Sequence, residues 1–175
     1  MKLVDGSSNH VFSRILNVMN RIQDEDYESE LVGSETRLLS ADISCLIKED
    51  KKEIGFLYLV TEYTKGLYFL DMALLKGYRN KGIGTEALKE LLDTYKYKDF
   101  VLGEVKEDNI ACLKMINKLN AIKVSPNHYL LQPERLEEFK AFIVKNNIDL
   151  TVPDMDSHDA CEMFLQLGTP LTKKK

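Results

Sequence analysis

Between residues 11 and 22 the apolar positions Val11, Ile15, Val18, Met19 and Ile22 recur at intervals that include three and four. That spacing puts them on one face of a helix, which Ser7, Ser8 or Asn9 can cap. Residues 23–30 form an acidic run, expected as a solvated helix end or loop. From Arg37 the pattern becomes that of strands. Leu38–Leu39 and residues 43–47 precede a charged turn at 48–53, and residues 54–60 make a β-branched and aromatic run. Thr64–Lys65–Gly66 marks a second turn before another strand at 67–75. Strands joined by turns this short pair antiparallel.

After Gly82 and Gly84 the period switches to helical, with Ile83, Ala87, Leu88, Leu91, Leu92 and Tyr95 on one face. A short strand at 100–105 follows, then a second helix expected to turn Ile110, Leu113, Ile116 and Leu119 inward. Strand–helix–strand with this spacing predicts that 67–75 and 100–105 lie parallel across a right-handed crossover. Ser125–Pro126–Asn127 reads as a hairpin turn between residues 122–124 and 128–131. Pro133 suits a first helical turn, and Leu136, Phe139, Phe142 and Ile143 give that helix an apolar face. Beyond a break at 151–153, Ala160, Cys161, Phe164 and Leu165 predict a last short helix. The expected fold class is α/β, a mixed, mostly antiparallel central sheet flanked by helices. One domain spans residues 1–131, with a C-terminal helical extension at 132–175 packed on it.

At 175 residues the chain holds one domain with a full core, or a domain and a short appendage. No apolar run is long enough to span a bilayer, and residues 1–6 lack the pattern of a secretory signal. No membrane partner is expected. A net charge of −4 argues against binding nucleic acid by charge and is compatible with a cationic acceptor. Cys45, Cys112 and Cys161 are odd in number and lack metal-ligand spacing. They read as reduced thiols in a cytoplasmic protein, and no metal is expected. His10, His128 and His158 are scattered and read as structural or exposed.

Between the strand at 67–75 and the next helix runs Lys76–Gly77–Tyr78–Arg79–Asn80–Lys81–Gly82–Ile83–Gly84–Thr85. Backbone N–H groups at a helix start, together with the positive end of its dipole, make an anion site. Gly82 and Gly84 leave no side chain to block a diphosphate, Arg79 and Lys81 add charge, and Thr85 adds a hydroxyl. A P-loop does not fit, because Ile83 stands where the lysine is required. The dinucleotide fingerprint is met only with Ala87 in its last position, and no alternating parallel βαβ pattern precedes it.

Arg79-x-x-Gly82-x-Gly84 resembles the Gln/Arg-x-x-Gly-x-Gly/Ala signature of the GNAT superfamily of N-acetyltransferases. The elements from Leu38 to Leu131 also follow that family's order. The resemblance implies acetyl-coenzyme A as cosubstrate, its diphosphate held by Arg79, Asn80, Lys81, Gly82, Ile83, Gly84 and Thr85. It implies that the backbone of Met72, Ala73 and Leu74 bonds the pantetheine arm where two parallel strands splay. Asn109 resembles the family's asparagine that contacts the same arm, and it also reads as a helix cap. The implied activity is direct transfer of an acetyl group to a primary amine of a small molecule or protein, without a covalent acetyl-enzyme. The acceptor would meet the variable segments, residues 9–33 and the terminal helices, and a homodimer is a candidate assembly.

The pattern then breaks. Seven residues after Asn109, where many members carry a tyrosine that protonates the departing thiolate, stands Ile116. The customary Gly-Phe after that helix reads Asn120–Ala121. Cys112 and Tyr129 are the remaining candidates for the acid, and packing roles compete for both. Asp71 is ionisable within an otherwise apolar strand and is the candidate base, about one residue off the register at which some members place an acid. An outward or edge-paired aspartate is the alternative. The rival function is a catalytically weak or inactive acyl-CoA-binding or regulatory module on the same fold.

Overall fold

The structure, a computed structural model, describes residues 1–25, 34–95 and 99–151. Its strands are β1 (Lys2–Asp5), β2 (Ile43–Glu49), β3 (Lys52–Thr61), β4 (Leu67–Leu74), β5 (Phe100–Glu104), β6 (Ile122–Lys123) and β7 (His128–Leu130). The helices are α1 (Asn9–Glu25), α2 (Ser34–Leu39), α3 (Ile83–Tyr95), α4 (Ile110–Asn117) and α5 (Leu136–Lys145). All seven strands join one sheet in the order β1-β2-β3-β4-β5-β7-β6. Every neighbouring pair is antiparallel except β4 and β5, which run parallel across the α3 crossover.

Local chemistry sets the joints. Asp50 takes a left-handed conformation at φ 54° and turns β2 onto β3 between the paired residues Glu49 and Lys52. Ser8 starts α1: its hydroxyl oxygen accepts from Val11 N–H at 3.3 Å, and its carbonyl from Phe12 N–H at 3.0 Å. The middle of β3 is buried from Ile54 to Leu59, as befits a strand covered on both faces.

The two faces of the sheet carry different cargo. On one, α3 and α4 bury Ile83, Leu88, Leu91 and Ile116 against Leu57, Leu59, Leu74 and Val101. On the other, α1 and α2 lay Ile15, Val18, Met19, Ile22 and Leu38 over Leu46, Phe56 and Tyr58. That second face continues into a cluster in which α5 contributes Phe139 beside Leu67, Phe69, Phe100, Leu102 and Leu130. Each of these large side chains contributes roughly 1.5–3 kcal/mol by leaving water. No described helix is long and apolar enough to cross a membrane.

The structure corrects three expectations. Leu38 and Leu39 belong to α2 and not to a strand; Leu38 is buried while Leu39 is 67% exposed. The N–H groups of Ser40 and Ala41 close the end of α2 on the carbonyls of Arg37 and Leu38, both at 3.1 Å. Ile110 is 55% exposed and does not turn inward, because it stands at the very start of α4. The N-terminal residues form β1, an edge strand that the sequence pattern did not announce. The proposed last helix with Cys161, together with His158 and residues 26–30 of the acidic run, lies outside the described residues.

Candidate active site

β4 and β5 stay together only over the first half of β4, through the pairs Leu67–Phe100, Tyr68–Val101, Phe69–Leu102 and Leu70–Gly103. Beyond Leu70, β4 continues against β3 alone, with Asp71, Met72, Ala73 and Leu74 opposite Tyr58, Leu57, Phe56 and Gly55. β5 ends one residue later, at Glu104. In an antiparallel pair alternate residues direct N–H and C=O away from the partner. The outer half of β4 therefore presents main-chain donors and acceptors to a gap in the sheet.

This half-strand leads straight into the loop singled out by the sequence. Lys76–Tyr78 makes a single 3-10 turn, Arg79 is extended, and Asn80 and Gly82 take positive φ values of 62° and 83°. Glycine and asparagine are the residues that adopt such angles readily. Glu86 N–H bonds the Gly82 carbonyl at 3.1 Å. The N–H groups of Ile83, Gly84 and Thr85 thus precede the first intrahelical bond of α3, at the positive end of its dipole. Arg79 Nε donates to the Leu74 carbonyl at 2.9 Å, which anchors the guanidinium to the end of β4. Lys81 is exposed, its ammonium 5.5 Å from the centre of the Tyr78 ring.

The two glycines differ in role. A Cβ on Gly82 would meet no atom within 4 Å, so open space lies beside the helix start. A Cβ on Gly84 would come within 3.0 Å of Met115 Sδ and 3.1 Å of Met72 Cε. Gly84 is where α3, α4 and β4 close on one another. Of the two glycines expected to leave room for a diphosphate, Gly82 faces open space and Gly84 is closely packed. Main-chain donors, two cations and open space beside Gly82 are the features that suit an anionic group such as a diphosphate. Ile83 can contribute only its main chain, because its side chain is buried in the core.

Asn109 is exposed and caps α4, its Oδ1 accepting from Cys112 N–H at 3.1 Å. Cys112 and Tyr129 are half-buried and both pack on the α3/α4 face of the sheet. Burial pushes the Cys112 thiol up, away from the thiolate. Tyr129 stands opposite Gly103 with Lys123 Nζ 5.9 Å from its ring centre. Ile116 is fully packed at 1% exposure.

Asp71 lies on the other face, beneath α1 and α2, and sequence reasoning missed its company. Arg37 on α2 donates through Nε to Asp71 Oδ2 at 2.6 Å and forms an ion pair through Nη2 with Glu62 Oε1 at 2.7 Å. Burial raises the Glu62 carboxyl to about 7; Arg37 opposes the rise, while Glu104 and Asp71 add to it. Burial alone would lower Arg37, but Asp71 and Glu62 outweigh it and keep the guanidinium charged. Across the gap, Glu104 pairs with His128 on β7, and Ser125 Oγ hydrogen-bonds His128 Nδ1. Met72, Leu74 and the Arg79–Thr85 loop are thus drawn together at one end of the gap. The face carrying Asp71 is a separate neighbourhood from that of Cys112 and Tyr129. Among the described residues no group of three or more His, Cys, Asp and Glu side chains is placed to hold a metal ion.

Fold and site together define an α/β protein whose central sheet parts onto a helix start with main-chain N–H groups ahead of the first intrahelical bond. The acetyltransferase (GNAT) family model matches residues 12–121, more than half of the chain. The chain belongs to the GNAT acetyltransferase family. Solved structures share the fold at low identity. A GNAT-family acetyltransferase of Staphylococcus aureus Mu50 is 15% identical over 74% of this chain and 96% of that one, with a TM-score of 0.54. A GNAT-family acetyltransferase of Brucella melitensis in complex with acetyl-CoA is 14% identical over 75% and 86%, at 0.53. One from Elizabethkingia anophelis with acetyl-CoA bound is 16% identical over 71% and 77%, at 0.54. No curated protein matches the chain significantly in sequence.

Proposed function

We propose that the protein is an acetyl-CoA-dependent N-acetyltransferase that moves an acetyl group directly to a primary amine of a small molecule or protein. The observation that carries this reading is the continuity of the β4–β5 gap with the start of α3. A diphosphate would sit on the main chain of residues 80–85 with Arg79 and Lys81 beside it. The pantetheine arm would run along Met72, Ala73 and Leu74, near the α4 start at Asn109. Bound there, the cosubstrate supplies an activated acetyl group as a thioester, and both family membership and the two acetyl-CoA complexes of the same fold support it.

This chain's own groups would do the rest. Main-chain N–H groups at the gap would stabilise negative charge developing on the carbonyl oxygen. Among the described residues, the carboxylates Asp71, Glu62 and Glu104 gather about Arg37 on the acceptor side, which suits a cationic amine. Asp71, held by Arg37 at the lip of the gap, would steer the acceptor ammonium toward the thioester. Cys112 and Tyr129 remain the side chains available on the opposite face to return a proton to sulfur.

One observation favours a second reading, a catalytically weak acyl-CoA-binding module: Ile116, buried in the core, occupies the place of the family's proton-donating tyrosine. Incubation with acetyl-CoA and a panel of amines and peptides separates the two. The transferase reading expects amine-dependent release of free coenzyme A thiol. Tight coenzyme A binding with no release for any acceptor would overturn it in favour of the second.

A further inference from the structure

His128 carries contacts that neither the loop nor the gap requires. Its pairing with Glu104 puts both side chains on the sheet face that holds Phe69 and Asp71. The ring meets Phe69 edge-on, with centroids 5.4 Å apart and planes at 82°. It therefore reaches from β7 over β5 to β4, at the stretch of pairing just before the strands part. Ser125 Oγ fixes the ring through Nδ1.

We propose that His128 accepts the proton of the acceptor ammonium through Nε2, the Nδ1–H being held by the Ser125 hydroxyl oxygen. This rests on the transferase reading above and goes beyond it by naming the base. Asp71 is less free for the task, because its Oδ2 already accepts from Arg37 at 2.6 Å. Glu104, the cross-strand neighbour, stabilises the imidazolium as it forms. Burial lowers the ring's pKa against the opposing pull of Glu104, which favours the neutral imidazole that a base requires. Among the described residues, Glu104 from β5 is the charged group whose field acts on the ring. Glu104 acts in turn on Glu62, from the turn after β3, which also feels Arg37 from α2 and Asp71 from β4. Helix α5 presents Leu136, Phe139, Phe142 and Ile143 to the cluster containing Phe69, and Tyr63 lies 6.0 Å from Phe69.

The step balances. The ammonium gives one proton to Nε2, directly or through one water. The freed lone pair forms the C–N bond at the thioester carbonyl carbon, and the C–S bond breaks with its electron pair on sulfur. Nitrogen loses its second proton as the amide forms, sulfur takes up one proton, and one is released overall.

The test compares wild-type protein with His128→Phe, which retains an aromatic ring against Phe69. In the wild type, kcat/KM should rise with pH through a group titrating below the ordinary histidine range. His128→Phe should lower kcat at least about 100-fold at pH 7, leave coenzyme A affinity unchanged, and recover as pH nears the pKa of the amine itself. Independently of turnover, nitrogen NMR of the free wild-type protein should find neutral His128 protonated on Nδ1. An Nε2–H tautomer, or a variant within about twofold of wild type with the same pH profile, would overturn the proposal and leave the transferase reading standing. A wild type that releases no coenzyme A with any amine would overturn both.

Discussion

At Glu62, burial and a neighbouring guanidinium pull in opposite directions. The carboxyl is 9% exposed and titrates at about 7, so burial prevails over Arg37. Its folded pKa lies above the unfolded value of 4.5, so the stability that the protonated form contributes is complete below that pH. It is lost as pH rises through about 7. The difference amounts to something on the order of 3 kcal/mol. Glu62→Gln, which stays neutral, should show little of this loss when urea midpoints at pH 5 and pH 8 are compared. Equal loss in both proteins would contradict it. None of this was legible in the chain, because Arg37, Glu62 and Asp71 are far apart in sequence and meet only once α2 lies over the sheet. Gly82 and Gly84 were legible as a pair, but their different roles depend on Met72 and Met115, which no loop motif reports. Gly84→Val, whose branched side chain demands more room than the methionines can yield locally, should therefore cost about 1–3 kcal/mol of stability through overpacking, seen as a lower Tm. An unchanged Tm would mean that the two methionines yield freely.

Among the elements, α3 and α4 were readable because each follows a clear break and carries an apolar stripe. α2 was not. At six residues it is too short to display a helical period, and its two leucines look like a strand until tertiary packing buries one and exposes the other. β1 escaped for a similar reason: four residues on a sheet edge are specified by the partner, β2, more than by their own pattern. Asn109 was read both as a cap and as a cofactor contact, and the cap geometry is in place. Asn109→Ala should cost about 1 kcal/mol, whereas Asn109→Asp keeps an acceptor for Cys112 N–H and should cost less. Chemical denaturation checks this, and identical losses for the two variants would remove the cap from the account.

On the scale of the whole molecule, the β2-β3-β4 meander and the parallel β4–β5 crossover followed from periodicity and short turns, whereas β1 and the insertion of β7 between β5 and β6 did not. The gap did not, because it depends on where the β4–β5 ladder stops, and register is a property of the assembled sheet. Helix α5 closes the far end of the second face, and Phe139→Ala should cost about 3–5 kcal/mol by leaving a cavity beside Phe100. A loss below about 1 kcal/mol would show that α5 contributes little to the core. The central claim is that the gap and the α3 start together hold coenzyme A. Calorimetric titration of coenzyme A into wild type and Gly82→Asn tests it most directly, since asparagine tolerates positive φ while filling the open cradle. The expected result is one-to-one binding by the wild type, weakened at least about tenfold in a variant whose Tm stays close to the wild-type value (roughly 1.4 kcal/mol of binding free energy). No binding by the wild type, or equal affinity in the two proteins, would contradict the account.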